Sequence, residues 1–144
     1  MTNMFWYLTE LTSIRNLKLP ATTLYESCYK SMFCGCTSLT TVPSDLLPAT
    51  KLAANCYRGM FYNCTSLTKI PELPATQMST SCYYAMFKLC TKLRYPFRKF
   101  NGTINAVPNC FKSMFAGCSS LIKSPDMTCY LIGSDSTCFQ YMFH

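Results

Sequence analysis

A Met-Phe pair recurs six times along this chain of 144 residues, and its even spacing limits the folds that the chain can adopt. The Phe residues of the pairs are Phe5, Phe33, Phe61, Phe87, Phe115 and Phe143, with gaps of 28, 28, 26, 28 and 28 positions. A fixed period of this length is typical of proteins in which each repeat stacks on the next. The spacing therefore predicts one solenoid domain over residues 1–144, with about five coils of 26–28 residues, that begins and ends within a repeat.

Other positions recur in step with the Met-Phe pair. A Leu-Pro-Ala-Thr tetrad occupies residues 19–22, 47–50 and 73–76, and Cys residues flank most of the Met-Phe pairs at constant distances. Stacking would align equivalent residues into interior columns, two of Cys, one of Phe and one of Leu. The residues predicted to form this core are Cys28, Phe33, Cys36, Leu39, Cys56, Phe61, Cys64, Leu67, Cys82, Phe87, Cys90, Leu93, Cys110, Phe115, Cys118 and Leu121.

The spacing of apolar residues within a repeat predicts a short helix. Leu24, Cys28 and Met32 follow one another at intervals of four residues, which places them on one face of a helix. Thr23 and Glu26 have the spacing of a capping box at the start of that helix.

Three residues predict where these helices end. Gly35, Asn63 and Gly117 occupy one equivalent position after the Met-Phe pair, and both residue types tolerate the left-handed backbone that terminates a helix. Leu89 takes the same position in the Phe87 repeat and breaks the pattern. The Leu-Pro-Ala-Thr tetrads are interpreted as turns that lead into the helices.

The residues that follow each predicted helix are predicted to form a short strand. Residues 39–43 end in a proline, which offers no N–H to a strand ladder, and 67–71, 93–96 and 121–125 are equivalent. Neither a short helix nor a short strand is stable alone, so stability must come from stacking. The sequence therefore predicts an α/β solenoid with a parallel sheet on one face and short helices on the other.

Residues 32–40, Met-Phe-Cys-Gly-Cys-Thr-Ser-Leu-Thr, resemble the Ala-Phe-x-x-Cys-x-x-Leu core of BspA-like leucine-rich repeats, also called the Treponema pallidum type. The longer unit with the Leu-Pro-Ala-Thr tetrad is similar to repeats in surface proteins of gut bacteria and of their phages. The resemblance extends from Met4 to Phe143 and implies a leucine-rich-repeat-like fold. For function it implies adhesion, binding to a host surface or a structural role.

The 11 Cys residues leave three interpretations open, namely disulfides, a metal site or core filling. The Cys density approaches that of disulfide-rich secreted domains, but parallel side chains within a column oppose the torsion that a disulfide needs. Zinc needs about four ligands, and no pair of Cys-x-x-Cys motifs exists. Leu8 stands where later repeats have a Cys of the second column, which favours free, buried thiols. Cys34 and Cys129 lie outside both columns and are predicted to be the exposed or reactive thiols.

The sequence lacks the residues of a recognisable catalytic site. The single His is His144, the last residue, which is poorly placed to anchor a catalytic dyad or triad. Glu72 and Asp126 share a position after proline in their repeats and are interpreted as turn residues. No glycine-rich phosphate loop is present. We therefore predict that the chain is not an enzyme and that it binds no cofactor and no metal ion.

The net charge of +7 arises from 13 Lys and Arg residues against six Asp and Glu residues. Such a charge permits binding to nucleic acid, to an acidic glycan or to an acidic protein, without selecting among them. Nothing beyond charge supports nucleic acid, so the predicted partner is a protein, from the host or a second copy, or a glycan. No apolar run is long enough to span a membrane, and no secretory signal is visible.

Repeat proteins of this kind bind through exposed positions that vary while the framework stays constant. In the later repeats these positions become cationic and aromatic, a mixture that suits glycan stacking, cation–π contact or a protein hot spot. A solvated surface or a repacked turn explains the same residues. The candidate binding residues are Lys69, Arg94, Tyr95, Phe97, Arg98, Lys99 and Lys123. A second exposed stripe is predicted at Lys30, Arg58, Tyr84, Lys112 and Gln140.

Both ends of the sequence fall within a repeat and lack the polar cap that solenoids normally need. Three explanations stay open: a fragment of a larger adhesin, packing on another protein at each end, or head-to-tail completion of one copy by the next. We therefore expect a homo-oligomer or a part of a larger assembly. Together with the resemblance, this predicts a structural or adhesive protein of a bacterial cell surface or a phage virion, with a self-assembling filament or virion subunit as the alternative.

Overall fold

The computed structural model describes residues 2–96, 103–105, 107–124, 131–132 and 137–144. Among these residues there is no helix, and so none that is long and apolar enough to cross a membrane. The predicted α/β leucine-rich-repeat-like solenoid, with helices on one face and a sheet on the other, is therefore wrong. The described chain consists mostly of turns and irregular backbone, stacked repeat upon repeat.

Regular strands are confined to one short pair in the described residues. Strand β1 (Ile104–Asn105) pairs in parallel with β2 (Leu131–Ile132). The predicted strand at residues 39–43 is reduced to one parallel bridge, between Ser13 and Thr41. A second isolated bridge joins Lys51 to Gln77, directly after two of the tetrads. Two of the tetrads therefore lead into parallel pairing, and none of the three leads into a helix.

The residues predicted to be helical form runs of overlapping turns. In the Phe33 repeat, the N–H groups of the even-numbered residues from Cys28 to Cys36 donate to carbonyl groups three residues earlier, at 3.1–3.3 Å. The odd-numbered residues from Ser27 to Gly35 donate instead to carbonyl groups of the next repeat, at 2.8–3.0 Å. We call these runs the turn segments, and they comprise residues 3–8, 25–36, 53–64, 79–90, 107–118 and 137–144.

Left-handed backbone at every fourth residue prevents these turns from continuing as a helix. Ser27, Ser31 and Gly35 have φ values of 57°, 53° and 75°. A positive φ at the third residue of a four-residue turn is what a type II turn requires, and it interrupts the right-handed α-helix. Every second N–H group then points out of its turn segment toward the next repeat, where it donates to a carbonyl group. Thr23 and Glu26 consequently have no helix to cap.

The left-handed backbone predicted at Gly35, Asn63 and Gly117 is confirmed, but these residues end no helix. Leu89, which was expected to break the pattern, is left-handed as well, with φ at 64°. The position is therefore set by the stacking of the repeats more than by the residue type that occupies it.

Equivalent aromatic residues form two continuous rows through the stack. In the row from Phe5 to Phe143, neighbouring ring centroids are 5.2–5.9 Å apart and the rings lie within 9° of parallel. In the row from Tyr29 to Phe139, the centroids are 5.3–6.0 Å apart. These distances lie in the range of favourable aromatic contact. The rows thus fix the spacing between repeats.

One hydrophobic cluster extends through the stack and contains the inner members of both rows. Of the residues that the sequence placed in the core, all are buried except Cys28 and Leu121, which are half-buried. Phe143, which the sequence placed in the same column as Phe33, is 50% exposed. The sequence did not single out the row that begins at Tyr29, although an aromatic residue follows every Cys of the first column.

Candidate functional site

The variable positions of successive repeats lie side by side on one surface of the stack. The N–H groups of Thr40, Thr68 and Ile122 donate to the carbonyl groups of Thr12, Thr40 and Arg94, at 3.0–3.3 Å. These bonds run from a later to an earlier repeat, opposite to those of the turn segments. We call this surface the ladder face, and its exposed residues are Thr12, Ser13, Thr40, Thr41, Thr68, Lys69, Arg94, Tyr95, Ile122 and Lys123.

Four of the candidate binding residues lie on the ladder face. Lys69, Tyr95 and Lys123 occupy equivalent positions in three successive repeats, and Arg94 precedes Tyr95. All four are exposed, and 56% of the Tyr95 surface is accessible to solvent. The remaining candidates, which lie outside the described residues, are Phe97, Arg98 and Lys99.

The cations of the ladder face have no acidic partner among the described residues. The ion pair found in the described residues lies outside the ladder face and joins Lys18 Nζ to Asp45 Oδ2 at 4.0 Å. The acidic residues in the described ranges end at Glu72, whereas Arg94 and Lys123 lie in later repeats. The positive charges of this face are therefore not neutralised by neighbouring carboxylates in the described part of the chain.

The second stripe differs because two of its cations contact aromatic rings. The guanidinium carbon of Arg58 lies 4.5 Å from the centre of the Tyr84 ring, and Lys112 Nζ lies 6.0 Å from that of Tyr141. Cation–π contacts of this kind stabilise neighbouring repeats. The residues of this stripe are half-buried. The ladder face is therefore the surface with more freely available cations.

The Cys residues of the second column act as hydrogen-bond donors. The Sγ atoms of Cys36, Cys64, Cys90 and Cys118 donate to the carbonyl oxygen of the Phe in the preceding repeat, at 3.0–3.2 Å. Burial raises the pKa of all four thiols, that of Cys118 to about 11. Protonated thiols are poor nucleophiles, so this column is structural.

Cys34 is also buried, so the prediction of an exposed or reactive thiol at this position is wrong. Its neighbours in the stack cover it, and burial raises its pKa above the ordinary value. Cys129, the other predicted reactive thiol, lies outside the described residues. Among the described residues, no three His, Cys, Asp or Glu side chains are grouped so that they could hold a metal ion.

The first Cys column contains a disulfide between Cys110 and Cys138. The expectation that parallel side chains oppose such a bond fails at this one step, whereas the prediction of mostly free thiols is confirmed for the other eight described Cys residues. The other members of the column, Cys28, Cys56 and Cys82, are free thiols. Spacing alone could not reveal the bond, because it depends on the orientation of the two Sγ atoms.

Comparisons with models of known protein families, with curated proteins and with solved structures find no match for this chain. Membership of the BspA-like repeats therefore stays a hypothesis based on motif resemblance. The geometry of the ladder face is the principal evidence on function.

Proposed function

We propose that the chain is a structural or adhesive repeat protein without enzymatic activity, which binds a host protein or a glycan through the ladder face. The observation that carries the proposal is the exposure of Lys69, Arg94, Tyr95 and Lys123 on three successive repeats. The two rows of stacked rings hold the repeats at a fixed spacing, so the array is preorganised for binding. An array of cations and an aromatic ring suits a partner with regularly spaced negative charges.

Two further observations support parts of this proposal. The resemblance to BspA-like repeats supports adhesion, and with it a place at a bacterial cell surface or on a phage virion. Burial raises the pKa of the free thiols in the described residues, so they are poorly suited to nucleophilic catalysis at neutral pH. This supports a role without enzymatic activity.

Charge reversal on the ladder face tests the proposed binding. Immobilised sulfated, carboxylated and neutral polysaccharides and an acidic protein serve as probes, at low and at physiological salt. We expect the wild type to bind an acidic probe, with an affinity that falls as salt rises. We expect the double variant Lys69→Glu and Lys123→Glu to bind at least about tenfold more weakly, because two attractive contacts become repulsive.

The matched control is the double variant Lys18→Glu and Lys51→Glu. It changes the net charge by the same amount at exposed positions outside the ladder face. It should keep most of the wild-type affinity. An equal loss of affinity in both double variants would assign the binding to net charge alone. If the wild type binds none of the probes, the proposed role of the ladder face is wrong.

Self-association is a second candidate function, which a patch in the Phe5 repeat favours. Met4, Trp6, Tyr7 and Leu8 are 47–58% exposed, and the Trp6 and Tyr7 rings pack edge to face at 4.9 Å. Contiguous exposed apolar groups favour protein–protein contact. Assembly into a filament or a virion would use such a contact. Sedimentation velocity should then show particles that grow with concentration, and Trp6→Ser should reduce this growth while Tyr95→Ser leaves it unchanged.

A further inference from the structure

The first Cys column aligns five thiol positions along the stack. The N–H of the residue after each Cys donates to the carbonyl oxygen of the next Cys in the column, at 2.9–3.0 Å in every step. The backbone therefore has the same register at each step. The members of the column are Cys28, Cys56, Cys82, Cys110 and Cys138.

One step of the column has a Cα separation within the range of disulfides, and the ring spacings show that the remaining steps are similar. The Cα atoms of Cys110 and Cys138 are 5.0 Å apart, and the adjacent rings of Phe111 and Phe139 are 5.3 Å apart. At the other steps the adjacent rings are 5.7–6.0 Å apart. The ring spacing there is at most about 0.7 Å larger, and we infer from it that the Cα distances also fall inside the range of about 4.4–6.8 Å that disulfides occupy.

We propose that Cys28 and Cys56 are a second disulfide site, which closes when the folded protein meets a small disulfide oxidant such as oxidised glutathione. Cys28 is half-buried, whereas Cys56 and Cys82 have no exposed surface, so the oxidant reaches Cys28 first. The Sγ of Cys82 donates a hydrogen bond to Met78 Sδ at 3.8 Å. In the proposal Cys82 keeps this bond and stays a free thiol.

The reaction proceeds in two exchange steps. The Cys28 thiolate attacks one sulfur of oxidised glutathione, which forms a mixed disulfide and releases one glutathione thiol. The Cys56 thiolate then attacks Cys28 Sγ, forms the new bond and releases the second glutathione thiol. Two Cys thiols are oxidised, one glutathione disulfide is reduced, and the protons from Cys28 and Cys56 end on the released thiols. Burial raises the pKa of both Cys residues, so the reaction should be faster at alkaline than at neutral pH.

The second Cys column provides an internal control. Its thiols are directed at the Phe carbonyl oxygens of the preceding repeat, at 3.0–3.2 Å. They are therefore directed at backbone atoms and not at one another. Under the same treatment we expect Cys36, Cys64, Cys90 and Cys118 to stay reduced.

Peptide mapping of the wild type tests the proposal without any variant. The folded protein is incubated with oxidised glutathione at mildly alkaline pH, blocked with N-ethylmaleimide under denaturing conditions, and digested without reduction. Mass spectrometry should then find Cys28 linked to Cys56, with maleimide on the thiols of the second column. Recovery of Cys28 as a free thiol or a lasting glutathione adduct, a link from Cys56 to Cys82, or equal oxidation of both columns would overturn the proposal.

Two variants identify the partner of Cys28. Cys82→Ser should form the Cys28–Cys56 link to the same extent as the wild type. Cys56→Ser should stop at the mixed disulfide, so that Cys28 keeps one glutathione. Loss of the link in a folded Cys82→Ser protein would contradict the assignment.

Discussion

Single residues in the turn segments adopt a backbone conformation that most side chains disfavour. A left-handed residue other than glycine costs about 1–2 kcal/mol. Tyr7, Ala85 and Leu89 are left-handed, and the N–H of each donates to the next repeat at 2.8–2.9 Å. Bonding between repeats therefore overrides local preference at these positions.

Gly35 is one of two glycines, with Gly117, at which this conformation also coincides with a close contact. Its φ is +75°, and a Cβ there would lie 2.8–2.9 Å from atoms of the Tyr7 ring. We expect Gly35→Ala to lower the free energy of unfolding by about 2–3 kcal/mol, because the backbone cost and the displacement of the ring add together. Urea unfolding, followed by the fluorescence of Trp6, measures the loss.

Gly59→Ala is the control for this prediction. Gly59 is left-handed too, with φ at +58°, but the nearest atom to an added Cβ is Ser31 Oγ at 3.4 Å. Only the backbone cost of about 1–2 kcal/mol should appear. If the two variants lose equal stability, the contact with Tyr7 has no energetic role.

At the scale of the elements, the sequence identified which residues are equivalent but not the local structure that they form. Intervals of four residues, as between Cys28, Met32 and Cys36, fit both a helix with 3.6 residues per turn and a series of turns with a period of four. Three positions are too few to distinguish the two periods. Asn55, Gly59 and Asn63 also lie at intervals of four, and all three residue types tolerate left-handed backbone. This spacing of Asn and Gly could have indicated the series of turns.

The register between turn segments predicts which deletions the stack tolerates. Removal of residues 30–57 takes out 28 residues and joins Tyr29 to Arg58, the equivalent of Lys30. We expect this chain to fold cooperatively, with a lower free energy of unfolding because the contacts of one repeat are lost. Near-ultraviolet circular dichroism and urea unfolding provide the measurement.

Removal of residues 31–57 is the matched comparison, since it leaves one extra residue within the turn segment. Cys28 and Tyr29 would then leave their rows, and buried and exposed positions would exchange. We expect this chain to lose its near-ultraviolet signal. Equal stability of the two deletions would argue against a fixed register.

For the whole molecule, the buried thiols make stability sensitive to alkaline pH. Burial raises the pKa of Cys82 to about 12 and that of Cys118 to about 11, from an ordinary value of 9.0. The unfolded chain therefore loses these protons from about pH 9, while the folded chain retains them. These thiols should leave the free energy of unfolding unchanged below pH 9. Above pH 9 the free energy of unfolding should fall by at most about 1.4 kcal/mol per thiol and pH unit.

Thermal unfolding between neutral pH and about pH 10.5 measures this effect. Cys82→Ala should be less stable at neutral pH because it leaves a small cavity, but its stability should fall less steeply above pH 9. A melting temperature that does not fall in the alkaline range would contradict the linkage.

The sequence predicted exposed cations on both the ladder face and the second stripe, although it placed on the former the candidate binding residues Lys69, Arg94, Tyr95 and Lys123. The difference between them comes from contacts between side chains, such as that of Arg58 with Tyr84. Such contacts depend on rotamers and on the distance between repeats, which the spacing of residues does not contain. That the second stripe is half-buried could therefore be learned only from the structure.

The direction of the hydrogen bonds between turn segments gives the stack an electrical polarity. Each N–H that leaves a turn segment points to a carbonyl group of the following repeat, and these bonds outnumber the reversed bonds of the ladder face. The peptide dipoles therefore add, with their positive end toward the later repeats. Formal charge adds in the same sense, since residues 1–72 contain four of the six acids and residues 73–144 contain seven of the 13 cations. An anionic partner would be drawn toward Arg94 and Lys123 before any contact forms.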